Sequence, residues 1–393
     1  MGEGLTDEGL RNLHETLARH VESGAVPGLV ALVARGDDVH VETIGHPAIG
    51  DAEPIRQDAI FRIASITKPI VGVVAMLLIE DGLMALGDPI VTWLPELADQ
   101  RVLWTLESVL DDTVPMARPI TVLDVLSFQL GWGSIMAPPD QYPIQAAEKA
   151  LDLRSFGPPW PPSDHTPDSW IAALGSLPML DQPGVQWRYA GGAQVAGVLV
   201  ERVAKKPIAD LLRERVCGPL GMADTDFYVP ADKLYRFTTQ YESDATGTPV
   251  VLDRPAGWWS VPPSMPDANG WLVSTVDDLW AFARMLMADG GDLLSAESVR
   301  AMLADRLTAE QRADNAIFFP EHVGWGLMTS VPSGNGATGI PGGFGWDGGT
   351  GTSWRTDPAT GLTGILLTQL SMLSPEPPTV MGDFWTAAYA ALA

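Results

Sequence analysis

From Ile66 to Asp81 the chain is apolar nearly all round, and the stretch ends at Gly82. A helix of that kind has no face suited to water, so it belongs in a core, and the glycine after it suits a helix C-terminus. Its longest apolar run, Ile70 to Ile79, is far short of the roughly 20 residues that cross a bilayer, and no membrane span is expected. At 393 residues the chain exceeds one ordinary compact core, which suggests two domains or one domain carrying a large insertion.

Around this helix the patterning alternates in type. Leu10, Leu13, Leu17 and Val21 recur at helical spacing, which predicts a helix after the cap Thr6 to about Glu22. Gly28 to Arg35 and Val39 to Ile44 read as a β-hairpin turning at Gly36-Asp37-Asp38. Residues from about 83 to 255 alternate helical segments with Pro-rich loops. Because those loops carry Tyr142, Phe156, Trp160 and Trp170, they read as insertions around a site. A helical block begins near Gly192, and Ser274-Thr275-Val276-Asp277 reads as a helix cap. Strands are expected over Gly324 to Thr329, Gly349 to Arg355 and Gly361 to Thr368, and a last helix over Val380 to Leu392. The order predicts an α/β domain from residues 1–64 and 256–393, an antiparallel sheet flanked by helices, interrupted by a mostly helical region at 65–255.

Immediately before the apolar helix stands Ser65-Ile66-Thr67-Lys68. Residues three apart share a helix face, so the hydroxyl and the amine are neighbours. A serine needs a base within hydrogen-bond reach to attack a carbonyl, and a lysine desolvated by an apolar helix can lose enough basicity to accept that proton. The Ser65 N–H, at a helix N-terminus, points toward any oxygen that becomes negative on attack. A capping serine followed by a solvated lysine is the plain alternative, but the apolar surroundings and the scarcity of lysine elsewhere weigh against it.

The stretch Phe61 to Pro69 resembles the nucleophile motif of class C β-lactamases, D-alanyl-D-alanine peptidases and family VIII carboxylesterases. Leu86-Gly87-Asp88-Pro89-Ile90, Ile120 to Ser127, Pro219-Leu220-Gly221-Met222 and Gly324-Trp325-Gly326-Leu327 resemble further landmarks, from about residue 10 to 390. The resemblance implies a β-lactamase/transpeptidase-like fold and an acyl-Ser65 intermediate. The family's Tyr-x-Asn falls on Tyr189-Ala190-Gly191, so Tyr189 is implied as proton relay, on the condition that Lys68 sits close and lowers its pKa. Gly191 departs from the asparagine, and Gln194 is a candidate substitute. The third motif falls on Trp346-Asp347-Gly348, with the Gly349 N–H implied as second oxyanion donor beside Ser65. Trp346 stands where relatives carry a cation that binds substrate carboxylates, and an indole cannot form that ion pair. Trp346, Asp347, Gly348 and Gln194 are the implied substrate-binding residues; Trp258, beside Trp259 between Pro255 and Pro262, reads equally as lining of a hydrophobic acyl pocket that would bind substrate or as a packed loop.

Composition narrows the partners. With 49 acidic against 24 basic side chains the chain repels polyanions and anionic membranes, so nucleic acid is not an expected partner. The lone Cys217 allows no internal disulfide, and no metal or organic cofactor is expected. The N-terminus lacks the basic start and apolar run of a secretory signal, and a cytoplasmic location is the expectation. Gly343 to Gly348 fits a dinucleotide fingerprint in letters but lacks the strand before it and the helix after it. The expected function is a serine hydrolase on a small-molecule ester or amide, with a carboxylesterase for apolar esters preferred. Acyl transfer, a β-lactamase, peptidase or amidase activity, and a non-catalytic binding module of the same fold remain alternatives.

Overall fold

The computed structural model describes residues 4–153, 161–333 and 343–393. Helix α1 (Asp7–Glu22) starts where the cap Thr6 accepts the Gly9 N–H at 3.1 Å, and leads into β1 (Gly28–Arg35) and β2 (Asp38–Gly45). Short β3 (Phe61–Arg62) runs into a 3-10 turn (Ala64–Ile66) and helix α2 (Thr67–Glu80). After the irregular middle come α3 (Gly191–Ala204), β4 (Val273–Ser274), paired with β3, and α4 (Val276–Met287). The chain ends in β5 (Val323–Trp325), β6 (Ser330–Pro332), β7 (Phe344–Gly348), β8 (Thr352–Asp357), β9 (Leu362–Thr368) and α5 (Thr379–Ala390).

Both ends of the chain meet in one antiparallel sheet ordered β2-β1-β9-β8-β7-β6-β5. Its alternation shows how two faces are buried at once. On β1, Leu29, Ala31 and Val33 turn toward α1 and α5, while Val30, Leu32 and Ala34 turn toward the large core around α2. Helix α2 is buried from Thr67 to Leu78, as an all-round apolar helix must be.

Two expected strands came out differently. The segment Gly324 to Thr329 breaks after Trp325, because Met328 adopts φ 66 and the Gly326 N–H closes a turn on the Thr329 carbonyl. Within Gly349 to Arg355, Gly349 to Gly351 is a turn, closed by the Gly351 N–H on the Gly348 carbonyl at 2.9 Å with Gly351 at φ 87. The strand before that turn is β7, which carries Trp346. The aromatics of the middle region divide as well. Trp170 is core, edge-on to Trp132 at 5.7 Å, and Tyr142 is half-buried, while Phe156 and Trp160 lie outside the described residues.

The β7–β8 turn is locked onto the backbone that precedes Ser65. Thr350 Oγ1 donates to the Arg62 carbonyl at 2.5 Å and Thr352 Oγ1 to the Ile63 carbonyl at 3.2 Å. Gln240 donates to the Thr350 carbonyl at 3.0 Å, and the Met372 N–H to the Gly349 carbonyl at 2.8 Å. Arg62 itself is buried, bonded to Asp253 and to the Thr238 carbonyl, with its guanidinium 4.0 Å from the Phe237 ring centre. Burial pulls it down to about 10 against the pull of Asp253, so it stays charged at neutral pH.

A Cβ on Gly348 would lie 2.4 Å from the Ile63 carbonyl oxygen and 2.2 Å from Thr352 Oγ1, whereas one on Gly349 would meet nothing within 4 Å. Gly348→Ala should therefore cost about 1–3 kcal/mol in urea unfolding, and Gly349→Ala less than about 1 kcal/mol. Equal melts for the two variants would contradict this packing.

Candidate active site

From Ala59 to Leu78 every residue is buried except Ser65. The approach to it is strained, since Ala64 holds φ 41 without being glycine. Ser65 occupies the 3-10 turn rather than the α-helix proper, one turn before Lys68. The side chains still meet, with Lys68 Nζ donating to Ser65 Oγ at 2.8 Å and to the Asn269 carbonyl at 2.6 Å.

Tyr189 arrives from the other side, on the segment that starts α3. Its hydroxyl donates to Ser65 Oγ at 2.8 Å, and its ring centre lies 4.5 Å from Lys68 Nζ. The Ser134 N–H holds the Tyr189 carbonyl at 2.8 Å, and Phe318 stacks on its ring with centroids 5.0 Å apart. Trp346 on β7 completes the cluster by donating its indole N–H to the Tyr189 hydroxyl at 2.7 Å. The tryptophan thus supplies a neutral donor to the tyrosine oxygen, in addition to wall packing.

Burial drives the two proton-handling groups apart. Lys68 is fully buried, which pulls it from the ordinary 10.5 down to about 7, with Asp267 pulling the other way. Tyr189 is pushed from 10.0 up to about 12, because desolvation outweighs its hydrogen bonds with Ser65 and Trp346. The expectation that Lys68 lowers the tyrosine's pKa is therefore corrected: a lysine near neutrality adds little positive charge, and desolvation dominates. Near pH 7 the pair presents an amine able to take a proton and a phenol able to give one.

The remaining expected residues divide. Gly349 is exposed, and among the described residues no acceptor in the chain takes its N–H or that of Ser65. Gly348 serves the packing of the turn. Asp347 points to the opposite face of β7, because side chains alternate along a strand. Its carboxylate binds Ser353 at 2.5 Å and Arg355 at 2.6 Å, away from Ser65. Gln194 turns its amide to Asp267 at 3.4 Å. Trp258 is half-buried and outside the hydrogen-bonded cluster, while its neighbour Trp259 stacks on Trp271 at 4.0 Å in the core. His165, in the Pro-rich middle region, bonds Ser169 and the Leu151 carbonyl.

At Gly191 the structure explains the missing side chain. A Cβ there would lie 2.4 Å from the Trp132 carbonyl oxygen and 2.7 Å from the Trp132 ring, so the chain itself fills the space. Sequence reasoning missed Trp132, Asp267, Asn269 and Phe318. Among the described residues no group of three or more His, Cys, Asp or Glu could hold a metal ion, and no helix is long and apolar enough to cross a membrane.

Comparison with known proteins agrees with this architecture. The family model described as Beta-lactamase matches residues 13–378. The chain belongs to the β-lactamase family. Within it, Protein Rv1367c of Mycobacterium tuberculosis is 37% identical over 371 residues, covering 88% of this chain and 87% of that protein. Esterase EstB of Burkholderia gladioli is 28% identical, covering 87% and 85%. Among solved structures, EstCE1, "a hydrolase with promiscuous acyltransferase activity", superposes with a TM-score of 0.81 at 20% identity, covering 97% of this chain and 98% of its own. The fold is thus β-lactamase/transpeptidase-like, with relatives named as esterases and acyltransferases.

A lysine held near 7 in this family member carries a stability cost that depends on pH. The unfolded chain binds the Lys68 proton up to about 10.5 and the folded one only to about 7, so stability from this group rises with pH between those values. Lys68→Met should raise the unfolding free energy at pH 6 by about 3–5 kcal/mol, and the gain should shrink toward pH 10. A gain independent of pH would contradict the burial of an ionisable lysine.

Proposed function

We propose that the chain is a carboxylesterase for small apolar esters, working through an acyl-Ser65 intermediate. The observation that supports it most is the meeting of Lys68 and Tyr189 on the Ser65 oxygen, with their proton affinities pushed in opposite directions. In this reading neutral Lys68 takes the hydroxyl proton as Ser65 Oγ bonds to the ester carbon. The Ser65 and Gly349 amides hold the carbonyl oxygen while it carries the negative charge. As the C–O bond to the alcohol breaks, Tyr189 gives its proton to the leaving oxygen and recovers one from Lys68. Water then attacks the acyl-enzyme through the same relay, returning the proton to Ser65 and releasing the acid.

The preference for an apolar ester rests on what the cluster lacks. Trp346 offers an N–H already donated to Tyr189, and among the described residues no cation besides Lys68 hydrogen-bonds within the cluster, which disfavours a carboxylate-bearing β-lactam or peptide that needs an ion-pair partner there. The aromatic walls Phe318 and Trp346 suit an apolar acyl group. A second reading, transfer of the acyl group to an alcohol or amine, draws support from the fold shared with simvastatin synthase of Aspergillus terreus, at a TM-score of 0.79 and 21% identity, covering 98% of this chain and 99% of that one.

A short-chain aryl ester assay tests the reading. Ser65→Ala and Lys68→Ala should lose about 10³-fold or more in kcat/KM and Tyr189→Phe about 10²-fold, in keeping with lost nucleophilic and proton-transfer roles. In wild type, kcat/KM should rise with pH through about 7, where Lys68 becomes neutral. Full activity in Ser65→Ala would refute the proposal, and a product that appears only with an added alcohol would favour acyl transfer.

A further inference from the structure

The segment Pro266-Asp267-Ala268-Asn269-Gly270-Trp271 has no part in the steps above, yet it forms the floor under Lys68. Asp267 shapes it in two ways. Its carboxylate accepts the Asn269 N–H at 2.7 Å, and its own carbonyl accepts the N–H groups of Gly270 at 3.2 Å and Trp271 at 3.1 Å. The turn so formed aims the Asn269 carbonyl at Lys68 Nζ, 2.6 Å away. The second carboxylate oxygen of Asp267 receives the Gln194 amide at 3.4 Å from α3. One acidic side chain therefore ties the lysine's backbone acceptor to the helix that begins just after Tyr189.

We propose that Asp267 is a positioning residue for Lys68: its carboxylate fixes the turn whose Asn269 carbonyl anchors the amine, and it places a negative charge in the floor under that amine. This deepens the esterase reading and rests on it for its catalytic meaning, though not for the placement of the lysine's titration. The physical need is plain. Burial alone would push an amine in an apolar helix toward permanent neutrality, and an amine that cannot keep a proton cannot return one. A negative charge near it offsets part of that desolvation.

The other groups around Lys68 do not supply that charge. From its own turn it meets the Ser65 hydroxyl. From the α3 side it meets Tyr189, a neutral phenol near pH 7, and Gln194 on the same element is an uncharged amide. From β7, Asp347 faces the far side of the sheet, paired with Arg355, and its influence falls on Tyr189. Among the described residues Asp267 is the one charge that acts on Lys68, and it acts to raise it.

Asp267→Asn separates the two parts of the role. Its side-chain oxygen still accepts the Asn269 N–H, so the turn is kept while the charge is lost. Lys68 is one of five lysines in the chain, and its carbon-13 signal in lysine-labelled protein is identified by its absence from Lys68→Met. In wild type that signal should titrate near pH 7, and in Asp267→Asn about one pH unit lower. Asp267→Glu, which keeps the charge, should titrate closer to wild type than Asp267→Asn does. Should Asp267→Asn fail to fold, Asp267→Ser gives an uncharged side chain with a hydroxyl that accepts the same N–H. A Lys68 titration unmoved or raised in a folded uncharged variant overturns the proposal. The readout needs no turnover, so the two claims fail separately. A titration that shifts in protein without ester activity upholds Asp267 and sinks the esterase, and an active enzyme whose titration does not shift does the reverse. In active protein, the acidic limb of kcat/KM should move down by the same pH interval.

Discussion

The removal of Lys68 from water is the interaction on which the rest of this structure depends. A lysine in solvent is protonated at neutral pH and is no base for a serine. Enclosed by α2, α3 and the floor at Asn269, it is drawn down to about 7. The same burial sends Tyr189 up to about 12, so a single physical cause, desolvation, prepares two different partners for one oxygen. That arrangement carries a standing cost in stability, and the fold offsets it with a helix that is buried along its length and a sheet buried on both faces.

The scaffold around this pair leaves little freedom. Gly348 and the two threonines of the β7–β8 turn fix the backbone that precedes Ser65, and buried Arg62 ties that backbone to Asp253 and the Thr238 carbonyl. Gly133 and Gly191 interlock: a Cβ on the former would strike the Tyr189 carbonyl at 2.6 Å, and one on the latter the Trp132 carbonyl. Tyr189 is thus held from behind by main chain, and from the front by Trp346. Trp346 directs its indole N–H at the tyrosine and so keeps the tyrosine oxygen anchored.

Much of this was legible in the sequence, for reasons of distance along the chain. Ser65 and Lys68 are three residues apart, so helical geometry alone makes them neighbours, and the apolar run after them announces the burial that sets the lysine. The β1–β2 hairpin and the caps at Thr6 and Thr275 were equally local. Tyr189, Trp346 and the Gly349 turn came through family resemblance, because nothing within ten residues of any of them points to Ser65. The direction of the Tyr189 shift was misread, since sequence does not weigh desolvation against a neighbouring amine. Asp267 and Asn269 went unseen, 201 residues separating Lys68 from the carbonyl that holds it. Asp347 was assigned to the site from its place beside Trp346, although strand alternation turns it to the other face.

The central claim is that Ser65 carries the acyl group. Wild-type protein mixed with a short-chain aryl ester, quenched in acid within a turnover and read by intact-protein and peptide mass spectrometry, tests it most directly. A mass gain of one acyl group is expected on the peptide that contains Ser65, absent from Ser65→Ala. Ester consumed with Ser65 unmodified, or with the acyl group on another residue, would contradict it.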